Sequence, residues 1–131
     1  MIIQSEKAKS LILDIFNKLS VNNQVAQLCA EGLVQTSLRG IDTHGIRLVP
    51  HYVTAIESGR LNPKPDLKFK QTSSTTGILD ADHTFGHYAC DIAADKAIEM
   101  SKTSGAGFVV VKNSIPLLVN TERCFIVVIN L

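Results

Sequence analysis

The chain has 131 residues, 45% of them hydrophobic, which suits one folded domain and excludes a disordered polypeptide. Thirteen Lys and Arg against twelve Asp and Glu leave a formal charge of +1, with no basic cluster and no tryptophan, so the electrostatic footprint of a nucleic-acid binder is missing. There is no signal-peptide pattern and no apolar run near the roughly 20 residues that cross a bilayer, so a cytoplasmic protein with no membrane partner is expected.

From Ser5 to Leu19 the apolar residues Ala8, Leu11, Ile12, Ile15, Phe16 and Leu19 recur at three- and four-residue steps and predict one stripe of a helix. Asn22-Asn23 offers a cap, and Val25, Leu28, Cys29, Leu33 and Thr36 carry the spacing to about Leu38, so a second helix is expected to pack antiparallel on the first. A turn from Arg39 to Gly45 follows. A third helix is expected from near Ile46 or Arg47, with Val49, Tyr52, Val53 and Ile56 inward, Pro50 in its first turn and Gly59 at its end. Leu61-Asn62-Pro63-Lys64-Pro65 cannot be helical, because each proline restricts the residue before it. The reading is a helical substrate-side subdomain over 1–60, an extended linker over 61–66 and a partial α/β domain over 67–131.

In that second part, Leu67 to Thr72 alternates weakly and Gly77-Ile78-Leu79-Asp80 reads as a strand, together a hairpin or two edge strands. His87 to Lys102 predicts an amphipathic helix with Ala89, Ile92, Ala93, Ala97 and Met100 inward, ended by Gly105 and Gly107. Phe108-Val109-Val110-Val111 predicts a central strand buried on both faces, and Phe125 to Ile129 is a second run of that type, with no helix following it. Cys29, Cys90 and Cys124 form no Cys-x-x-Cys pair and read as reduced core residues.

Three groups of residues could carry chemistry. His44 stands in a glycine-flanked turn, where an imidazole can give up a proton near neutral pH, as reduction of a ketone requires. Arg47 lies three residues on, on the same side if a helix starts here, and its planar fork suits a carboxylate; Thr43 could add a hydroxyl. The same residues also fit a plainer role, with Asp42 or Thr43 capping the third helix and His44 and Arg47 solvated in its first turn. Asp80, Asp82, His83 and His87 make a second constellation, a metal site of hydrolase type or simply a loop leading to a helix cap. His51 reads as a partly exposed helix residue. Gly105-Ala106-Gly107 follows a helix and precedes a strand, the reverse of a dinucleotide fingerprint.

The run from Ser37-Leu38-Arg39-Gly40-Ile41-Asp42-Thr43-His44-Gly45-Ile46-Arg47 through Tyr52, with Gly59-Arg60-Leu61-Asn62-Pro63 after it, resembles the amino-terminal signature of the malate/L-lactate dehydrogenase family of type 2. Leu79-Asp80-Ala81-Asp82, Gly86-His87 and Gly105 through Ser114 resemble that family's next segments, so the likeness covers about residues 5–114. It implies an α/β fold of non-Rossmann type, in which a helical subdomain precedes an incomplete mixed α/β layer. It further implies a homodimeric oxidoreductase moving a hydride between NAD or NADP and a 2-oxo/2-hydroxy acid. His44 would be the proton donor, with Thr43 and Arg47 binding substrate, although many members place the arginine where this chain has Leu48. No metal is expected, since no His-x-x-x-His pair on a helix and no Cys-x-x-Cys pair supports a ligand set, and no cofactor-binding residue is assigned in this chain.

After Ser114 the family continues with His-Phe-Gly, whereas this chain reads Ile115-Pro116-Leu117-Leu118, so 115–131 reads as an aberrant end of a truncated enzyme. The competing expectation is a non-catalytic chain that persists by association through the strand at Phe125 to Ile129.

Overall fold

The structure is a computed structural model that describes residues 3–115 and the backbone of 123–129. The chain divides into two compact units, Met1–Lys64 and Pro65–Leu131.

The first unit is helical. Helix α1 (Ser5–Lys18) packs on α2 (Asn23–Leu38), with an ion pair of 2.6 Å from Lys9 to Glu31 between them. Asn22 caps α2 as its position suggested: its side-chain oxygen accepts from the backbone nitrogens of Gln24 (2.9 Å) and Val25 (3.5 Å). The buried line of α1 is Ala8, Ile12 and Phe16, and that of α2 is Val25, Ala26, Cys29, Ala30, Leu33 and Val34. Leu11, expected inward, is 55% exposed, because the i, i+4 line through Ala8, Ile12 and Phe16 takes the packing face and turns Leu11 away from it.

Two 3₁₀ turns, Asp42–His44 and Ile46–Leu48, lead into α3 (Val49–Glu57). The third helix therefore starts later than expected. Pro50 lies in its first turn, and Gly59, at φ +73°, follows its end. Val49, Tyr52 and Ala55 are its buried residues, while Val53 and Ile56 are half-buried. The segment read as a linker begins as part of this unit, since Leu61 is 1% exposed and the Pro63 carbonyl accepts from the Asn22 amide at 2.8 Å. The prolines exclude helix there, but they do not exclude packing.

The second unit is a four-stranded mixed sheet in the order β1-β2-β3-β4, formed by Lys68–Gln71, Thr76–Asp80, Ala106–Lys112 and Arg123–Ile129. Strands β1 and β2 are an antiparallel hairpin, β2 and β3 are parallel and joined by α4 (Gly86–Ser104), and β4 returns antiparallel to β3. The core between helix and sheet is Ala89, Ala93, Ala97 and Met100 against Leu79, Ala81, Val109 and Val111.

Two expectations for this unit are corrected. Strand β3 is central but not buried on both faces: Gly107, Val109 and Val111 are buried, Val110 is half-buried and Phe108 is 41% exposed, because α4 covers one face only. Gly105, at φ +78°, ends α4 by itself, its amide donating to the Ser101 carbonyl. Gly107 is a strand residue. A Cβ there would overlap the carbonyl oxygen of Ala97 and stand 2.7 Å from its carbonyl carbon, so the glycine is what lets helix and strand approach.

Candidate active site

The turn between α2 and α3 is built by the end of α2. The Gly40 amide donates to the Ser37 carbonyl at 2.9 Å and the Ile41 amide to the Thr36 carbonyl at 3.1 Å, with Gly40 at φ +81°. These two bonds satisfy the last carbonyls of the helix and turn the chain sharply out of it, which is the Schellman arrangement that a glycine at this position permits. The His44 amide then donates to the Ile41 carbonyl at 3.0 Å and closes the first 3₁₀ turn. Gly45, at ψ −140°, breaks the chain direction before Ile46–Leu48.

Thr43, His44 and Arg47 therefore sit on one connection but not on one helix. The i, i+3 argument for His44 and Arg47 does not hold, because Gly45 separates the two turns that carry them. His44 is half-buried, and Thr43 and Arg47 are exposed. The hydroxyl of Thr43 and Nδ1 of His44 are hydrogen-bonded at 3.0 Å. When that hydroxyl donates to Nδ1, the neutral ring carries its proton on Nε2 and can present it to an acceptor. Arg47 has no hydrogen-bond or ion-pair partner among the described residues, which leaves its guanidinium available to an anion. Beside this turn runs an apolar groove of about 250 Å³, lined by Leu11, Ile12 and Ile15 of α1 and by Ile46, Val49 and Pro50.

Composition and spacing pointed to the acid/base and anion-binding side chains of this turn and gave no sign of what holds it in shape. The Ser37 hydroxyl accepts from the Ile46 amide at 3.0 Å, and a Cβ on Gly45 would overlap Ser37 Oγ. A serine in the last turn of one helix and an amide nine residues on are not related by any helix or strand period, so only the glycine at 45 hinted at a close approach.

The second constellation is not brought together. Among the described residues no three of His, Cys, Asp and Glu stand where they could share a metal ion. Asp80 is instead occupied in joining the ends of β2 and β3, accepting from Lys112 Nζ at 3.0 Å, Asn113 Nδ2 at 3.1 Å and the Asp82 amide at 3.2 Å. The Asn113 contact, with Lys112 behind it, holds the Asp80 carboxyl below the usual carboxylate range. Asp82 accepts from the Asp66 amide at 3.0 Å. His87 lies in the first turn of α4 with its Nδ1 shut off from solvent, and burial pushes its imidazole down to about 4. His51 is exposed, with Nε2 at 3.2 Å from the Arg60 guanidinium. Cys29 is buried and Cys90 half-buried; the side chain of Cys124 lies outside the described residues, as do 116–122 and 130–131, which are part of the expected aberrant end over 115–131. Among the described residues no helix is long and apolar enough to cross a membrane.

Comparison with known proteins gives this turn its context. The profile of the malate/L-lactate dehydrogenase family matches residues 3–117. The L-sulfolactate dehydrogenase of Methanocaldococcus jannaschii is 36% identical over 114 residues, which are 87% of this chain and 33% of that protein. The malate dehydrogenase of Pyrococcus abyssi is 32% identical over 112 residues, 86% of this chain and 31% of that one. The solved sulfolactate dehydrogenase of M. jannaschii superposes with a TM-score of 0.83 over 87% of this chain and 33% of its own. The malate dehydrogenase of Pyrococcus horikoshii gives 0.85 at 27% identity, over 89% of this chain and 34% of its own. The chain thus spans about a third of the length of the relatives it matches. It belongs to the malate/L-lactate dehydrogenase family of oxidoreductases.

Proposed function

We propose that the turn from Thr43 to Arg47 is the substrate side of an active site that interconverts a 2-hydroxy acid and its 2-oxo acid with NAD or NADP. The observation that carries this reading is the Thr43–His44 hydrogen bond at 3.0 Å, which, with the hydroxyl as donor, puts the proton of a half-buried imidazole on Nε2, where it can serve an acceptor. His44 donates the proton that a carbonyl oxygen takes up as it becomes an alcohol. Arg47 binds the carboxylate beside that carbon, and Thr43 sets the tautomer of the ring. Malate and sulfolactate, the substrates named for the relatives, both carry a carboxylate next to a secondary alcohol, which is the chemistry this pair addresses.

A bound nicotinamide supplies the hydride in such a reaction. The space that a Cβ would take at Gly45, Gly77 and Gly107 is filled by Ser37, Phe69 and Ala97, so these three glycines pack against the chain's own atoms and do not fit a cofactor there.

The test measures oxidation of NADH and NADPH by the purified chain with oxaloacetate or pyruvate, beside His44→Ala and Arg47→Ala. His44→Ala is expected to lower kcat by about 10²- to 10⁴-fold, and Arg47→Ala to raise KM. Turnover that survives His44→Ala would overturn the proposal. If the unaltered chain shows no turnover, NMR titration with oxamate, a 2-oxo acid analogue, decides: the signals of His44 and Arg47 must move, and fixed signals would refute substrate binding at this turn.

A further inference from the structure

The turns carrying His44 and Arg47 are joined by a residue that belongs to neither. The amide of Ile46 is the first donor of the turn carrying Arg47, and such a donor has no partner within its own turn. Gly45, in the local cap position, has no side chain to offer it. The partner comes from the preceding helix, as the Ser37 hydroxyl accepts from the Ile46 amide at 3.0 Å. Ser37 also holds the other end of the connection, because its carbonyl accepts the Gly40 amide at 2.9 Å. Gly45 closes the joint. A Cβ on it would overlap Ser37 Oγ and stand 2.9 Å from the Ser37 nitrogen, a separation that real Cβ atoms essentially never show.

We infer that Ser37 is a positioning residue for this site: its hydroxyl, with Gly45 closed against it, fixes the orientation of the turn carrying Arg47 relative to the turn carrying His44. Its side chain lies outside the two turns and is hydrogen-bonded to their backbone. A carbonyl and its neighbouring carboxylate are rigidly spaced in a 2-oxo acid, so the donor and the cation must be held at a matching spacing, and an error near 1 Å can cost about 10²-fold in rate. The connection between the two turns is the single residue Gly45, whose amide donates to the Asp42 carbonyl at 3.2 Å and whose carbonyl accepts from the Leu48 amide at 3.0 Å, and Ser37 adds the tie from the preceding helix. This role rests on the substrate-side reading above, whereas the mechanical joint itself does not.

The experiment separates the two. On the isotope-labelled chain, amide exchange at Ile46 and residual dipolar couplings of the Thr43–Arg47 amides report the joint, oxamate affinity reports the site, and thermal melting controls for general damage. Ser37→Ala is expected to lower Ile46 protection by about tenfold, to reorient the Ile46 and Arg47 amides relative to those of Thr43 and His44, and to weaken oxamate binding. Ser37→Thr, which keeps the hydroxyl, restores all three. Gly45→Ala disturbs the same couplings, and by less when Ser37→Ala has already removed the overlapping oxygen. Unchanged couplings in Ser37→Ala would overturn the inference, as would changes spread along α1 and α2. Altered couplings with intact oxamate affinity would leave the joint standing and end its positioning role. If the unaltered chain binds no oxamate, the substrate-side reading fails and the role in binding falls with it, while exchange and couplings still decide the joint.

Discussion

Gly107→Ala tests the idea that a close approach of two backbones, rather than helix termination, explains the second glycine of Gly105-Ala106-Gly107. The added Cβ would overlap the Ala97 carbonyl oxygen and lie 2.7 Å and 2.8 Å from its carbonyl carbon and Cα, all of them backbone atoms of α4. Neither partner can rotate aside, so α4 and β3 must separate by on the order of 1 Å, and a gap of that size already forfeits a quarter to a half of each contact it opens. The contacts at stake are those of Ala89, Ala93, Ala97 and Met100 with Leu79, Ala81, Val109 and Val111. Overpacking of this kind costs about 3 kcal/mol, which lowers Tm by on the order of 10 °C in a small unit. Melting and urea unfolding followed by circular dichroism measure the loss. Ala97→Gly must not rescue it, because the obstructing atoms remain when that side chain is removed. Gly77→Ala makes the contrasting case: its Cβ meets the ring of Phe69, so Phe69→Leu should recover part of the loss. A Gly107→Ala chain that melts within about 2 °C of the original would refute the reasoning.

Other outcomes follow from single contacts. Asn22→Ala removes the acceptor at the start of α2 and should cost about 1 kcal/mol in urea unfolding, while Asn22→Asp keeps it and should cost little. The imidazole of His87 is pushed from 6.5 to about 4 by burial, so the unfolded chain takes up its proton at higher pH than the folded one. Stability must then fall as pH drops from about 6.5 toward 4, by roughly 3 kcal/mol in all, and rise again with pH. His87→Leu should flatten that slope, and an unchanged slope in the variant would remove His87 as its cause. Breaking the exposed Lys112–Asp80 pair with Lys112→Met should cost under about 1 kcal/mol, and the same unfolding measurement checks it.

The elements that were legible in the sequence are those whose signal is a period. Ala8, Ile12 and Phe16 mark α1, and Ala89, Ala93 and Ala97 mark α4, because burial repeats every three or four residues along a helix that packs on one side. The exposure of Phe108 was not legible. A run of Phe and Val is equally compatible with a strand covered on one face or on both, and what covers the second face is decided by elements distant in sequence. The start of α3 was misplaced because a 3₁₀ turn over Ile46–Leu48 carries the same apolar spacing as the first turn of an α-helix.

The candidate site divides in the same way. Thr43, His44 and Arg47 declare themselves by chemistry, since a side chain that gives a proton and one that holds an anion are recognisable wherever they stand. Their geometry depends on residues of no distinctive chemistry: Gly40, which takes the left-handed turn that ends α2 without a side-chain penalty; Gly45, which leaves room for Ser37; and Ser37, whose hydroxyl replaces a missing cap nine residues away. Exchanging Arg47 for lysine keeps a cation there and should weaken binding by losing the fork. Exchanging Ser37 for alanine keeps every chemical group of the proposed reaction and should still weaken it. Comparing those two losses measures how much of this site is chemistry and how much is the joint that aims it.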